Sequence, residues 1–97
     1  MLKLEITTDK HHSEKLIQQA VAAKVQRLML GLRKTDKALR AFETKYQRTS
    51  ADFLHNGSAE DLAGGDADYI TWLGEFKLRE RIQADLAELQ AVKYVVK

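Results

Sequence analysis

Side chains that could perform catalysis are few in this sequence and form no recognisable arrangement. The chain contains no Cys, so it offers neither a thiolate nucleophile nor a disulfide. The Ser residues Ser13, Ser50 and Ser58 stand where helix caps are expected, and none lies in a G-x-S-x-G motif. Gly64-Gly65 follows no predicted strand and precedes an acidic cap, which has the wrong charge for a phosphate-binding loop. The sequence therefore does not predict an enzyme.

Potential metal ligands are equally poorly arranged. His11 and His12 are adjacent, so on a helix their side chains would point to different sides, and no third ligand is near in sequence. Asp61, Asp66 and Asp68 lack the alternating order of a calcium-binding EF-hand loop. Helix caps and a solvated loop account for these carboxylates. We expect neither a metal ion nor another cofactor.

The net charge of +2 conceals two segments of opposite sign. Residues 24–48 hold eight basic and two acidic side chains, a net charge of +6. Residues 49–76, called the acidic segment below, hold six carboxylates and no Lys or Arg, a net charge of −6. These segments either cancel each other, remain as solvated faces, or present one face to a partner of opposite charge.

Large aromatic side chains are interleaved with the carboxylates of the acidic segment. Apolar anchors inside a negative field are typical of a surface that binds a basic protein. The candidate partner-binding residues are Phe53, Asp66, Asp68, Tyr69, Trp72 and Phe76.

The basic residues of segment 24–48 raise a second possibility, because such a helix could neutralise the phosphates of a nucleic acid. They are spread round the exposed arc of the predicted helix, which is the usual pattern of a solvated surface. No recognition helix or RNP-like motif accompanies them. The sequence therefore does not favour nucleic acid as the partner.

The elements that position these residues begin with an alternation of apolar and polar side chains. Leu2, Leu4 and Ile6 have a period of two, which predicts a short half-buried strand within residues 1–8. A single strand is not stable alone. It must pair with the β-rich C-terminal end, with the same strand of a second copy, or with another protein, and the sequence leaves these choices open.

A long helix is predicted over residues 13–48, because apolar residues recur there at alternating steps of four and three. The flanking positions provide no salt bridges for a parallel coiled coil, so an antiparallel hairpin or a bundle with a second chain suits this helix better. Its predicted packing seam comprises Val25, Leu28, Leu32, Leu39, Phe42 and Tyr46.

Residues 49–66 form a predicted acidic, Gly-rich connection with one or two short helical turns, and a C-terminal helix follows over residues 67–93. At 100° per residue this helix has two apolar faces, of which the first carries Tyr69, Trp72 and Phe76. One face can close on the long helix. A break at Gly74, the rest of the chain, or a second molecule would have to account for the other. The second face completes the packing seam with Leu78, Ile82, Leu86 and Leu89.

Together these patterns predict a mainly α single domain over residues 1–97, with its two long helices packed antiparallel. Because so small a chain provides little covering surface, we expect an oligomer or a hetero-complex. The longest apolar runs are far shorter than the roughly 20 residues that span a bilayer. The N-terminus lacks the layout of a signal peptide. We therefore expect a cytoplasmic protein with no membrane association.

Four blocks stand out in a fixed order: L-x-x-F-E-x-K-Y, T-S-x-x-F-L, D-x-D-Y-x-x-W, and a Leu-spaced helix. In this order they resemble small helical antitoxins of the TumA type from prokaryotic toxin–antitoxin pairs. The resemblance covers a little over half of the chain. The matching residues are Leu39, Phe42, Glu43, Lys45 and Tyr46; Thr49, Ser50, Phe53 and Leu54; Asp66, Asp68, Tyr69 and Trp72; and Leu78, Ile82, Leu86 and Leu89.

The resemblance implies a protein that binds and neutralises a toxin encoded beside it, the toxin acting on RNA. Many RNA-cleaving proteins present a basic surface to phosphates, which the acidic segment could cover. The family pattern has Gly-Met after the Tyr, where this chain has Gln47-Arg48, and a longer helix after the Phe. Two alternatives stay open: a self-associating helical protein with no toxin partner, and nucleic-acid binding through the basic helix.

Overall fold

The structure is a computed structural model that describes residues 3–6 and 10–96, with side chains described from 12 to 92. It is mainly helical, as the sequence predicts. The strands pair in parallel, with Lys3 opposite Lys93 and Ile6 opposite Val96. In chain order the elements are strand β1 (Lys3–Ile6), helix α1 (Lys10–Tyr46), helix α2 (Ser50–Asn56), a 3₁₀ turn (Ala59–Asp61), helix α3 (Gly65–Gln90) and strand β2 (Lys93–Val96).

Helix α1 ends at Tyr46, two residues before the predicted end, because the next residue leaves the helical conformation. Gln47 has a φ of 53°, in the left-handed region. The Arg48 N–H donates to the Glu43 carbonyl at 3.3 Å, which is the hydrogen bond of a Schellman C-cap. Glycine is the usual residue at this point, since a side chain is strained there. A Gln therefore turns the chain at some cost.

The connection contains two short helical elements, where the sequence predicts one or two. The Thr49 hydroxyl caps α2 by accepting from the Asp52 N–H at 3.1 Å. The helix closes where the Gly57 N–H donates to the Phe53 carbonyl at 2.7 Å. The 3₁₀ turn begins with a capping box in which the Ser58 N–H donates to Asp61 Oδ2 at 2.9 Å. These caps fix the direction in which Phe53 leaves the backbone.

The chain divides into two compact units. Unit 2 is one continuous segment, Leu32–Arg81, whereas unit 1 combines the two ends of the chain, Met1–Gly31 and Ile82–Lys97. Helices α1 and α3 each contribute to both units.

In unit 2 the helices run antiparallel, since Tyr46 meets Asp68 at one end and Asp36 meets Arg79 at the other. The core of this unit is mostly aromatic. Its buried cluster is Leu39, Phe53, Leu62 and Trp72, with Phe42, Tyr46, Leu54, Tyr69 and Phe76 packed around it.

In unit 1 the packing is aliphatic. Ile82 and Leu86 of α3 are buried. A Cβ placed on Gly31 would lie only 3.3 Å from Ile82 Cδ1, so the missing side chain lets Ile82 approach α1 closely. Lys24 and Leu89 line one shallow pocket, so here too the helical segments run in opposite directions.

The burial pattern of α3 resolves its two apolar faces. Trp72, Ile82 and Leu86 are all buried, although the spacing placed the first apart from the other two. A seven-residue repeat falls short of two full turns, so the buried stripe moves round the helix by about 20° per repeat. Leu78 does not belong to this stripe and is 46% exposed. The predicted second face is therefore mostly a continuation of the first, and Leu78 lies outside it.

Candidate protein-binding surfaces

Trp72 lies at the centre of the aromatic cluster of unit 2 and has no exposed surface. Its indole stacks on the Phe53 ring, with centroids 4.3 Å apart, and on the Phe42 ring, with centroids 5.3 Å apart. Phe53 is also completely buried. The structure thus places Trp72 and Phe53, which the sequence suggested as partner contacts, in the core, where a partner cannot touch them.

A chain of two hydrogen bonds, the first buried and the second partly buried, joins the three helices around this indole. The Trp72 Nε1–H donates to Ser50 Oγ at 2.7 Å. The Ser50 N–H donates in turn to Glu43 Oε2, also at 2.7 Å. A buried N–H without an acceptor costs free energy, so Ser50 is what allows a tryptophan at this position. The sequence alone predicts only a capping role for Ser50, because nothing in the spacing brings it near Trp72.

Asp68, another predicted partner contact, is engaged within the chain. It accepts hydrogen bonds from the Tyr46 hydroxyl and from Lys45 Nζ, the latter at 2.9 Å. The Gly64 N–H donates to the same Tyr46 oxygen at 3.1 Å. The Tyr46 hydrogen bond, and then that of Lys45, holds the pKa of Asp68 below its ordinary value, and the bond to Asp68 raises the pKa of Lys45. Asp68 therefore ties the start of α3 to the end of α1.

The other predicted partner contacts lie nearer the surface. Asp66 is exposed in the first turn of α3, and Tyr69 and Phe76 are half-buried against the aromatic cluster. The packing seam is largely turned inward. Leu39, Ile82 and Leu86 are buried, and Val25, Leu28, Leu32, Phe42, Tyr46 and Leu89 are half-buried.

All six carboxylates of the acidic segment keep at least part of their surface exposed. Arg48 takes up two of them: its Nε lies 2.9 Å from Asp52 Oδ2, and one terminal nitrogen lies 3.9 Å from Asp61 Oδ2. Hydrogen bonds from Arg48 and then Asn56 lower the pKa of Asp52. Lys45 pairs with a third carboxylate, Asp68. Within the described part of the chain, the other three form no ion pair: Glu60, Asp66 and Glu75.

Exposed apolar side chains lie on both long helices. Ile70 of α3 is the most exposed large one among the described residues, at 68%. Spacing alone does not single out Ile70, because it is one apolar residue on the polar side of the helix. Its importance follows only from knowing which side of α3 faces the core. Among residues 12–92, the large exposed apolar side chains are Leu16, Met29 and Leu30 on α1 and Ile70 and Leu78 on α3.

Two further observations concern ions and membranes. In the described part of the chain, no three His, Asp or Glu side chains converge as metal ligands would. Among the same residues, no helix combines the length and apolar character needed to cross a bilayer.

Comparison with known proteins adds no relative. No protein-family model matches the chain, no curated protein is similar to it, and no solved structure matches it. Its function must therefore be inferred from its own residues and contacts.

Proposed function

We propose that this chain is an antitoxin-like binding module that neutralises a co-encoded, RNA-targeting toxin by protein–protein contact. The observation that supports this most is the arrangement of the acidic segment. Its aromatic side chains pack inward around Trp72, and its carboxylates stay at the surface. The segment is therefore a negatively charged surface on a packed support, which binds a basic partner without first having to become ordered.

The residues that carry the family resemblance have a common role in unit 2. Glu43, Ser50 and Trp72 form the chain of hydrogen bonds around the indole, and Tyr46 and Asp68 join the two long helices. These contacts support the interpretation that the sequence motifs of the family resemblance form one structural module. Under the proposal, toxin contact then falls to exposed side chains carried by that module, and no longer to Trp72 or Phe53.

Glu60 is the carboxylate best suited to test this contact. It lies exposed in the 3₁₀ turn, and no ion pair or side-chain hydrogen bond of the described residues involves it. Its neighbour Asp61 caps the same turn, so replacing Asp61 would disturb the fold as well as the charge. Glu60→Lys therefore changes the surface charge while leaving the known contacts of unit 2 in place.

The experiment is co-expression with the product of the gene beside the one that encodes this chain. We expect that product to harm cells when expressed alone, to co-purify with this chain, and to bind more weakly as salt is raised. Glu60→Lys should weaken binding roughly tenfold, a change of about 1.4 kcal/mol. The matched control is Glu80→Lys, the same charge change at an exposed carboxylate outside the acidic segment.

Two outcomes would oppose the proposal. A neighbouring product that is harmless and does not co-purify removes the toxin. Equal effects of the two Glu→Lys variants would show that overall charge, and not the acidic segment, governs binding.

A further inference from the structure

One side of α3 faces away from the core of unit 2, and we call it the outer face. At 100° per residue its members lie within about 60° of the direction opposite Trp72. Each of them is exposed. The outer face comprises Asp66, Ala67, Ile70, Gly74, Lys77, Leu78 and Arg81.

Gly74 lies midway between the two exposed apolar residues, four positions from Ile70 and four from Leu78. A Cβ placed on Gly74 would meet nothing within 4 Å, so no neighbour inside the chain requires a glycine there. Glycine also weakens the interior of a helix. Between two large side chains its absent side chain leaves a notch into which a second helix backbone could fit, as at closely packed helix pairs.

The two ends of the outer face carry opposite charges. Asp66 and Arg81 are about 22 Å apart along the helix axis, so they cannot pair within one copy. Neither forms an ion pair in the described part of the chain. Along the face, Asp66 and Ile70 precede Gly74, whereas Lys77, Leu78 and Arg81 follow it. The face is therefore negatively charged before the glycine and positively charged after it, with one large apolar residue on each side.

We propose that a second copy of this chain docks on the outer face, with its α3 antiparallel and a two-fold axis passing through Gly74. Ile70 of each copy then contacts Leu78 of the other, and the two Gly74 residues face each other at the closest approach. Asp66 of each copy lies within one residue of the level of Arg81 of the other. Each contact occurs twice, as a two-fold interface requires.

Charge complementarity selects this occupant and this direction. A parallel pair would set Asp66 against Asp66 and Arg81 against Arg81, which are like charges. A second copy carries the complementary charges itself, because its negative half meets the positive half of the first copy. The proposal goes beyond the toxin-binding function and does not depend on it. Asp66 belongs to both surfaces, but Glu60 lies outside the outer face and Arg81 lies outside the acidic segment, so Glu60→Lys and Arg81→Asp test the two proposals separately.

Charge exchange between copies provides the first test. By sedimentation equilibrium, the full chain should form a reversible dimer. Asp66→Arg and Arg81→Asp should each raise the dimer Kd roughly tenfold or more, because both ends of the interface would then join like charges. An equimolar mixture of the two variants should recover dimerisation, since each end of the heterodimer joins opposite charges.

Gly74→Leu separates association from folding. The added side chain meets open space within the chain and removes a helix-interior glycine, so the melting temperature of the dilute protein should rise. The same side chain fills the notch, so the dimer should be lost. The control is Leu30→Asp, which changes an exposed apolar residue of α1 and should leave the dimer unchanged.

The proposal is overturned by any of three results. The parent chain could be monomeric at every concentration, the mixed charge variants could fail to associate, or Gly74→Leu could dimerise as well as the parent. A parent that is monomeric alone but loses a different protein partner on Asp66→Arg would assign the face to that partner.

Discussion

The two units of this chain differ in the side chains that form their cores. In unit 2, aromatic rings pack around Trp72. Hydrogen bonds from Trp72 to Ser50 and from Ser50 to Glu43 link its three helices. Unit 1 has no Phe, Tyr or Trp among residues 12–31 and 82–92, and its buried side chains are Ile82 and Leu86. Both are short lengths of paired helix, and unit 2 adds directional contacts between its helices.

The difference shows how a small unit can acquire one definite structure. Stacked rings contribute a large buried area with a preferred geometry, and a satisfied buried polar chain penalises any arrangement that breaks it. Aliphatic contacts are tolerant of repacking, so they stabilise without selecting a single arrangement. We therefore expect unit 2 to be the stiffer and more stable unit, and unit 1 to depend on it.

The largest test compares a truncation in each unit. Trp72→Ala should cost about 3–5 kcal/mol and unfold unit 2, because it removes the ring on which Phe42 and Phe53 stack. Leu86→Ala should cost about 2–3 kcal/mol, at the low end for a buried leucine, since its half-buried surroundings can close on the cavity. Urea unfolding followed by far-UV circular dichroism measures both, since Trp72 is the only tryptophan. Equal losses of unfolding free energy in the two variants would contradict the expectation that unit 2 is the more stable unit.

A second test removes one acceptor from the chain of hydrogen bonds around Trp72. Ser50→Ala leaves the Trp72 N–H without a partner and should cost about 1–3 kcal/mol. In a Trp72→Phe background, which has no N–H to satisfy, the same change should cost much less. Thr71→Ala, an exposed hydroxyl on α3, is the control and should have little effect. If Ser50→Ala costs the same in both backgrounds, the hydrogen bond is not the cause.

A third test uses pH to weaken unit 2 alone. The pKa of Asp68 is lowered in the folded chain by Tyr46 and Lys45, so its stabilising contribution is complete above about pH 4, the ordinary pKa of an aspartate. It is lost as the pH falls through the folded pKa. Asp68→Asn should therefore lower stability near neutral pH and flatten its decline below about pH 4, as measured by urea midpoints. Asp66→Asn, exposed and outside these hydrogen bonds, should keep the parental slope.

The smallest expected effect comes from placing a glycine in each unit, at the end of α1 in unit 2 and inside α1 in unit 1. Gln47→Gly should stabilise the chain by up to about 1 kcal/mol, because it relieves the left-handed backbone at the end of α1. Gln26→Gly, at an exposed helical position in unit 1, should destabilise by about 1 kcal/mol. Thermal melts of the two variants should therefore shift in opposite directions. A loss of stability in Gln47→Gly would show that the hydrogen bond from Gln47 Nε2 to the Thr44 carbonyl, at 2.8 Å, outweighs the relief of backbone strain.

The sequence predicted the helices and the inward side of α1 because spacing alone reports them. Steps of three and four place Val25, Leu28 and Leu39 on one side of a helix, and that side is turned inward. The prediction of a second apolar face on α3 was mostly wrong for a related reason. Angles counted along a straight helix separate residues several repeats apart, although those residues can belong to one buried stripe that moves slowly round the helix. Helix geometry is thus predictable locally, and less so over long distances.

What covers each face could not be predicted. Trp72 could be assigned to a side of α3, but the ring that covers it belongs to α2, whose position depends on the turn at Gln47 and the cap at Thr49. For the same reason the sequence does not show that Ile70 is exposed, because exposure depends on which side of α3 faces the core. Contacts between helices depend on the geometry of the turns that connect them, and the spacing of apolar residues carries no information about those turns.

The nesting of the units has a consequence for how the chain folds. Unit 2 is one continuous segment, and its key contacts, such as Ser50 to Trp72, join residues 22 positions apart. Unit 1 joins the two ends of the chain, so alone it would have to close a much longer loop. Once unit 2 has formed, that loop is already shortened, and the entropy lost on bringing the ends together falls. Unit 2 would then act as the folding nucleus, with the terminal segments closing after it.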